Sequence, residues 1–254
     1  MRVACKLSVN LNKVALLRNS RGGRRPSLLE AAEVALNAGA AGITLHWRAD
    51  ERHTRKSDVA PMVALCRQRG VEFNLEGDLR RPLLDLALEV GVDQCTLVPV
   101  RPGELTSDHG WDLPDASTAL LPAIAELEAA GIRTSIFVEA KPGLMGFAAD
   151  TGTRRIELYT EPYAAAFQRG DFAAPLAALA ETAARASDLG LGVNAGHDLD
   201  VHNLPPLVAA LPALAEVSIG HALICDALAV GLEATVRAYV AALAPPEHRQ
   251  GEPQ

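Results

Sequence analysis

Six times along this chain a helix-patterned segment ends in a glycine and a short β-rich run begins within a few residues. The glycines are Gly39 before AGITLHW, Gly70 before VEFNLE, Gly91 before VDQCTLVPV, Gly131 before IRTSIFVEA, Gly152 before TRRIELYT and Gly190 before LGVNAGH. Glycine closes a helix in the left-handed conformation at little steric cost, so each junction reads as a helix stop feeding a strand. VACKLSVNL at the start and AEVSIGH before residue 222 complete a set of eight strands. Strands alternating with helices at this spacing pair in parallel through right-handed crossovers. An open doubly wound sheet and a closed barrel both satisfy that rule. The count of eight, and the lack of a GxGxxG turn after the first strand, favour an α/β fold of the (β/α)8, or TIM, barrel type with extra helices.

The helices carry their own signals. Ser27-Leu-Leu-Glu30 is a capping box opening a helix to Asn37. Ser57 and Asp58 are N-cap candidates for a helix through Arg69, and Pro82 suits a first turn. The fourth helix, near 116–130, contains Pro122 and is expected to start later than its alanine-rich pattern suggests. The stretch 162–189 is long enough for more than one helix, and the last helix is expected from about Leu223 to Leu243. Runs such as ITLHW and CTLVPV are near-continuous apolar runs, as for strands covered on both faces. Residues 1–244 therefore read as a single barrel domain. The remaining PPEHRQGEPQ, 245–254, has no periodicity and is expected to be disordered.

Charge narrows the partners. With 24 basic and 31 acidic residues the formal net charge is −7, which argues against nucleic acid. A local arginine cluster can still hold a small anion. The four cysteines form no CxxC pair, lie in segments that read as core, and are expected to be buried reduced thiols. No uninterrupted run of 18 apolar residues occurs and the first residues lack an apolar leader core, so a cytoplasmic chain without a membrane span is expected.

In such a barrel the chemistry collects at the C-terminal ends of the strands. Strand one ends in Asn10, Asn12 and Lys13, with Arg18 and Arg21 beyond. Strand two ends in His46, then Arg48, Arg52 and His53, and strand three in Asn74 and Glu76. Strand four runs into a loop holding Arg101, Glu104, Thr106 and Asp108. Glu157 lies within strand six. Strand seven ends in Gly196, His197 and Asp198, with His202 beyond, and strand eight in Gly220 and His221. Five of the seven histidines fall on this rim. One histidine at a strand end is usually structural; five suit a reaction with several proton transfers. Glu76 and Glu157 sit in otherwise apolar strands. They read either as carboxylates paired with a neighbouring cation or as general bases and stabilisers of positive charge. Arg18, Arg21, Arg48 and Arg52 point to anion capture. Gly196 and Gly220 fit a phosphate held by backbone N–H groups and a helix N-terminus. The histidines lack HxH or HExxH spacing, so no metal is expected, although a site assembled across strands stays open.

The segments VNLNKVALLRNSRG, AGITLHWRADERHT, FNLEG, LVPVRPGELTSDHGWD, IELYT, VNAGHDLDVHN and IGHALICDALAVGL resemble, in order from about residue 6 to residue 235, the pyridoxine 5'-phosphate synthases of vitamin B6 biosynthesis. The resemblance implies a barrel with extra helices that assembles into homo-oligomers, typically octamers. It implies condensation of 1-deoxy-D-xylulose 5-phosphate with 3-amino-2-oxopropyl phosphate, with loss of phosphate and water and without metal or organic cofactor. It makes His46 an acid/base near the amino ketone, Glu76 a second base, His197 a proton donor and Glu157 the stabiliser of a cationic intermediate. Asn10, Arg21, Arg48, His53 and Thr106 would hold the substrates and their phosphates, and Gly220 and His221 the phosphate at strand eight.

Three departures from the family pattern bear on the ketose site. Asn12-Lys13 stands where the family usually has Asp-His, Asp198 where a glycine often follows the strand-seven histidine, and Val100 where an acidic residue is usual. Asn12 and Asp198 change charge at a phosphate site, and Lys13 adds a cation able to bind phosphate or attack a carbonyl. A divergent relative acting on a different phosphorylated ketone is one alternative reading. A non-catalytic binding or assembly member is another.

Overall fold

The computed structural model describes residues 4–101, 108–196 and 198–244. Eight strands, β1 (Lys6–Asn10), β2 (Gly42–His46), β3 (Glu72–Gly77), β4 (Gln94–Leu97), β5 (Arg133–Val138), β6 (Arg155–Tyr159), β7 (Gly192–Gly196) and β8 (Leu214–Ile219), pair in parallel in chain order. The barrel closes where β8 pairs with β1. Eleven α-helices occur among the described residues: α1 (Asn12–Asn19), α2 (Leu28–Asn37), α3 (Lys56–Arg69), α4 (Arg81–Val90), α5 (Leu113–Ala129), α6 (Met145–Asp150), α7 (Glu161–Gln168), α8 (Ala173–Asp188), α9 (Leu204–Ala210), α10 (His221–Val230) and α11 (Leu232–Ala242). Helices α1 and α7, and the pairing of α10 with α11, exceed the one helix per strand of the minimal barrel. None of the described helices is long and apolar enough to cross a membrane.

The strands alternate apolar and polar residues instead of forming near-continuous apolar runs. Val9, Ile43, Leu45, Leu75, Ile156 and Val217 are buried in the core shared with the helices. The residues between them, Ser8, Thr44, Asn74, Thr96, Ser135, Glu157, Asn194 and Ser218, are buried too, but they are polar. Ser8 bonds Thr44 (2.7 Å), Asn74 donates to Thr44 (3.4 Å) and Thr96 donates to Asn74 (2.9 Å), so these side chains meet inside the barrel. Ser218 on β8 donates to Glu76 on β3 at 3.4 Å although β1 and β2 intervene, which places that contact across the lumen. Nearer the N-terminal ends Arg133 pairs with Glu72 and donates to Gln94 (2.9 Å), Arg155 donates to Asn194 (2.7 Å), and Asn194 donates to Glu216 (3.3 Å). Buried polar groups are tolerated when bonded to one another, and most of this interior is a hydrogen-bonded network; the Ser135 hydroxyl, the Gln94 amide nitrogen and one Glu157 oxygen lack a partner among the described residues.

Several boundaries differ from the sequence reading. Helix α3 begins at Lys56, and Asp58 serves from its third position, accepting from the Arg55 backbone N–H at 2.8 Å. Helix α5 begins at Leu113 and carries Pro122 inside it. Pro122 and Thr118 lie on its exposed side, so water can serve the Thr118 carbonyl that loses its donor. The final helical stretch is two helices, split at Gly231, whose φ of 88° breaks the helical path. Cys66 and Cys95 are buried, Cys5 is half-buried and Cys225 is exposed. Helix α10 buries only Leu223, which leaves Cys225 outside. Ser27 caps α2, its hydroxyl accepting from the Glu30 N–H at 3.3 Å, which is one half of the capping box.

Candidate active site

The strand register sets His46 beside Glu76 and Asn10 beside Thr44, so the first three strands deliver one cluster to the barrel mouth. His46 Nδ1 lies 3.9 Å from Glu76 Oε2, and Asn10 donates to the same oxygen at 3.4 Å. The other carboxylate oxygen accepts from Asn74 (3.4 Å) and Ser218 (3.4 Å). Asn12 is the hinge of this cluster. Its backbone N–H donates to Asn10 Oδ1 (3.0 Å), and its own Oδ1 accepts from the His46 N–H (2.9 Å) and the Thr54 hydroxyl (3.0 Å). The His46 and His53 rings meet edge to face at 5.8 Å.

Both imidazoles are neutral at physiological pH. Burial, followed by His53, Arg48 and Arg80, pushes His46 down to about 3. Burial, followed by Arg48 and Lys13, pushes His53 down to about 4. His53 Nδ1 accepts from the Thr54 N–H at 2.9 Å, which leaves its proton on Nε2 as a donor. Buried His46 Nε2 has no hydrogen-bond partner among the described residues. Arg80 stacks 4.0 Å over Trp47 and donates to its carbonyl (2.6 Å), fixing the chain just after His46.

Glu157 comes to the lumen from β6. Its carboxyl is pushed well above the ordinary range by burial, then by Glu76 and Glu216, which favours its protonated form. Its Oε2 is buried without a partner among the described residues. Gly196 makes room for it: a Cβ there would stand 2.4 Å from Glu157 Oε1. Gly220 likewise packs on Asn10, where a Cβ would lie 3.1 Å from the Asn10 carbonyl. His221 opens α10 and is exposed, with Cys225 Sγ at 3.8 Å from its Nε2. Asp198 adopts φ 56°, the left-handed conformation a glycine would take freely.

The structure thus gathers Asn10, Asn12, His46, His53, Glu76 and Glu157, with the charges of Arg48 and Lys13 beside the two imidazoles. Arg48 is buried and Lys13 half-buried, whereas Arg21 is exposed in the turn after α1. His197 and Thr106 lie outside the described residues, as do Glu104 and the 245–254 tail. Two arginines expected to capture anions are otherwise engaged. Arg18 is buried in a two-pronged pair with Asp58 (2.6 and 2.9 Å), and Arg52 pairs with Asp50. Sequence reasoning did not pick out Ser218, Thr54, Glu72, Arg133, Arg155 or Glu216. The period-two polar pattern inside the strands was the signal that would have found most of them. Among the described residues no group of three or more His, Cys, Asp or Glu side chains is placed to hold a metal ion.

A closed parallel barrel with two buried imidazoles and two buried glutamates, Glu76 and Glu157, in its lumen toward the C-terminal mouth defines an acid–base enzyme of the TIM-barrel class. The solved structures it resembles share that fold. Thiamine phosphate pyrophosphorylase from Pyrococcus furiosus superimposes with a TM-score of 0.61 at 13% identity, covering 94% of this chain and 95% of that one. Ligand-free tryptophan synthase from M. tuberculosis gives 0.63 at 13% identity, covering 94% and 93%. At such identities these likenesses speak for the fold alone. Sequence comparison goes further. The profile of the pyridoxal phosphate biosynthesis protein PdxJ matches residues 7–245. Pyridoxine 5'-phosphate synthase from Xanthomonas oryzae pv. oryzae is 51% identical over 243 residues, covering 92% of this chain and 95% of that one. The synthase from Albidiferax ferrireducens is 50% identical over 245 residues, covering 94% and 97%. This chain belongs to the PdxJ family, the pyridoxine 5'-phosphate synthases.

Proposed function

We propose that this enzyme condenses 3-amino-2-oxopropyl phosphate with 1-deoxy-D-xylulose 5-phosphate to pyridoxine 5'-phosphate, releasing phosphate and water. The observation that carries the reading is one lumen shared by the His46–Glu76 pair and the buried Glu157 carboxyl. Imine formation joins the amine nitrogen to the ketose carbonyl carbon. The carbinolamine then loses water, which needs one proton delivered to the departing oxygen and one removed from nitrogen. Burial favours the protonated form of Glu157, which suits it to give that proton. Once ionised it is a buried anion suited to a cationic iminium, which restores the charge balance its surroundings resist. His46 and Glu76 are the acceptors. A bound phosphate offsets the charge of Arg48, which raises the basicity of His46 when substrate is present. By family resemblance His197 donates a later proton, and Arg21, Thr106, Gly220 and His221 hold phosphates.

Asp198 is the feature least suited to this role, since its carboxylate stands at the phosphate rim. Incubating the purified protein with both substrates and measuring pyridoxine 5'-phosphate tests the reading. Product formed at a catalytic rate supports it. No product, with turnover of another phosphorylated ketone, would assign the site to that ketone instead. Family resemblance also supports a cytoplasmic homo-octamer. Leu16, Leu17, Leu29, Val34, Leu228 and Val230 are exposed on α1, α2 and α10, where subunit contact would cover them. Light scattering on the purified protein measures that mass.

A further inference from the structure

The residues after β2 carry Arg48 and His53 into the site, yet they form no regular element before α3. Their geometry depends on an unusual convergence of carbonyl groups. Glu51 has φ 49°, a left-handed conformation uncommon outside glycine. The carbonyls of Glu51, Arg52 and His53 then meet at one point, the side-chain amide of Asn19 at the end of α1. Asn19 Nδ2 donates to them at 3.3, 3.2 and 2.6 Å. Aligned carbonyl dipoles repel one another unless donors stand among them. A second donor helps, since Arg18 Nη2 reaches the His53 carbonyl at 3.2 Å.

The amide has one orientation. Arg18 Nε donates to Asn19 Oδ1 at 3.0 Å, which turns the amide nitrogen toward the carbonyls. Arg18 is itself pinned by both oxygens of Asp58, and Asp58 also accepts from the Arg55 N–H. The unit therefore ties the end of α1, the loop and the start of α3 together. Its output is His53, whose peptide carbonyl is gripped twice and whose ring is locked by the Thr54 N–H.

We infer that Asn19 is a positioning residue of the active site, setting His53 and its loop against His46 through the backbone of residues 51–53. Asn19 donates to backbone carbonyls, so its effect on turnover passes through His53. The inference rests on the proposed function only for the assay it uses.

The test is a double-mutant cycle in the full-length enzyme with Asn19→Ala, His53→Ala and the double variant, followed by steady-state rates and thermal melting. Asn19→Ala is expected to lower kcat/KM roughly 10- to 100-fold, the range for a displacement of about 1 Å at a catalytic group. Its split between kcat and KM should match that of His53→Ala. Adding Asn19→Ala to His53→Ala should change the rate less than about threefold, because the two act as one unit. Asn19→Asp keeps the shape and removes the donors, so it should lose at least as much. Losses that add, or an Asn19→Ala rate within about twofold of the parent, would overturn the inference. The same cycle read by calorimetric binding of inorganic phosphate decides the role of Asn19 if His53→Ala is too slow to assay. It decides it equally if the parent makes no pyridoxine 5'-phosphate, an outcome that counts against the proposed function alone.

Discussion

Gly196 separates catalysis from folding in one substitution. It ends β7 in an ordinary extended conformation, so alanine meets no backbone barrier there. What the new methyl meets is Glu157. A Cβ would lie 2.4 Å from Glu157 Oε1, 3.3 Å from its Cδ and 3.1 Å from the Ser218 carbonyl. Ordinary contact is about 3.5 Å, so something must retreat by about 1 Å. Ser218 is held in the β7–β8 ladder and cannot, which leaves the Glu157 carboxyl to move. Overpacking of this kind costs about 1–3 kcal/mol, against a total stability of about 5–15 kcal/mol, so the barrel survives. Melting should fall by roughly 2–12 °C, at about 2–4 °C per kcal/mol for a chain near this size. The rate should fall much further, on the order of 100-fold, because a displacement of about 1 Å at a reacting group has that effect. Product absorbance gives the rate and circular dichroism the melting point. Gly143→Ala is the control, since a Cβ there meets nothing within 4 Å, and both readouts should stay at parent values. If Gly196→Ala melts lower yet keeps its rate within about threefold, Glu157 has no positional role in the chemistry.

Other substitutions probe the same site. Asp198→Gly relieves the left-handed backbone and, if the proposed phosphate site lies there, removes a carboxylate from it; calorimetry should then find tighter inorganic phosphate binding, and weaker binding would mean Asp198 makes a favourable contact. Glu216 is pushed from 4.5 up to about 8 by burial and then by Glu72. Its stabilising contribution is full below pH 4.5 and is lost as pH rises through 8, because the unfolded chain releases that proton first. Glu216→Gln should flatten the fall of melting temperature across that window, and an unchanged slope would assign the fall to other groups. His46 has the opposite sign. Pushed down to about 3, it contributes stability present above pH 6.5 and lost as pH falls toward 3. Asn12→Asp keeps an oxygen for the His46 N–H and the Thr54 hydroxyl, and with Lys13→His it should raise turnover of 1-deoxy-D-xylulose 5-phosphate. A fall would show that Asn12 and Lys13 are already suited to the ketose.

Helix stops and strand ends were legible because they are local. Gly70 and Gly91 cap helices at φ 63°, as their place before β-rich runs requires. The Ser27 cap needs only the next three residues. Pro122 misled because the turn it disturbs faces water, which can take up the carbonyl left without a donor, a fact the local sequence does not show. Arg18 misled because its partner Asp58 is 40 residues away, so nothing near it distinguished an anion-binding arginine from one already paired.

The sequence by itself determined the eightfold strand–helix order, the rim on which the candidate residues fall, and the family to which they belong. These follow from periodicity, from turn chemistry and from motifs a few residues long. Only the tertiary structure decided which rim residues share a carboxylate, that burial disfavours the charged forms of His46, His53 and Glu157, and that Arg18 and Asn19 hold the backbone of the loop after β2. The physical reason is that charge state and hydrogen-bond partnership depend on burial and on neighbours distant in the chain, which come together only when the barrel closes.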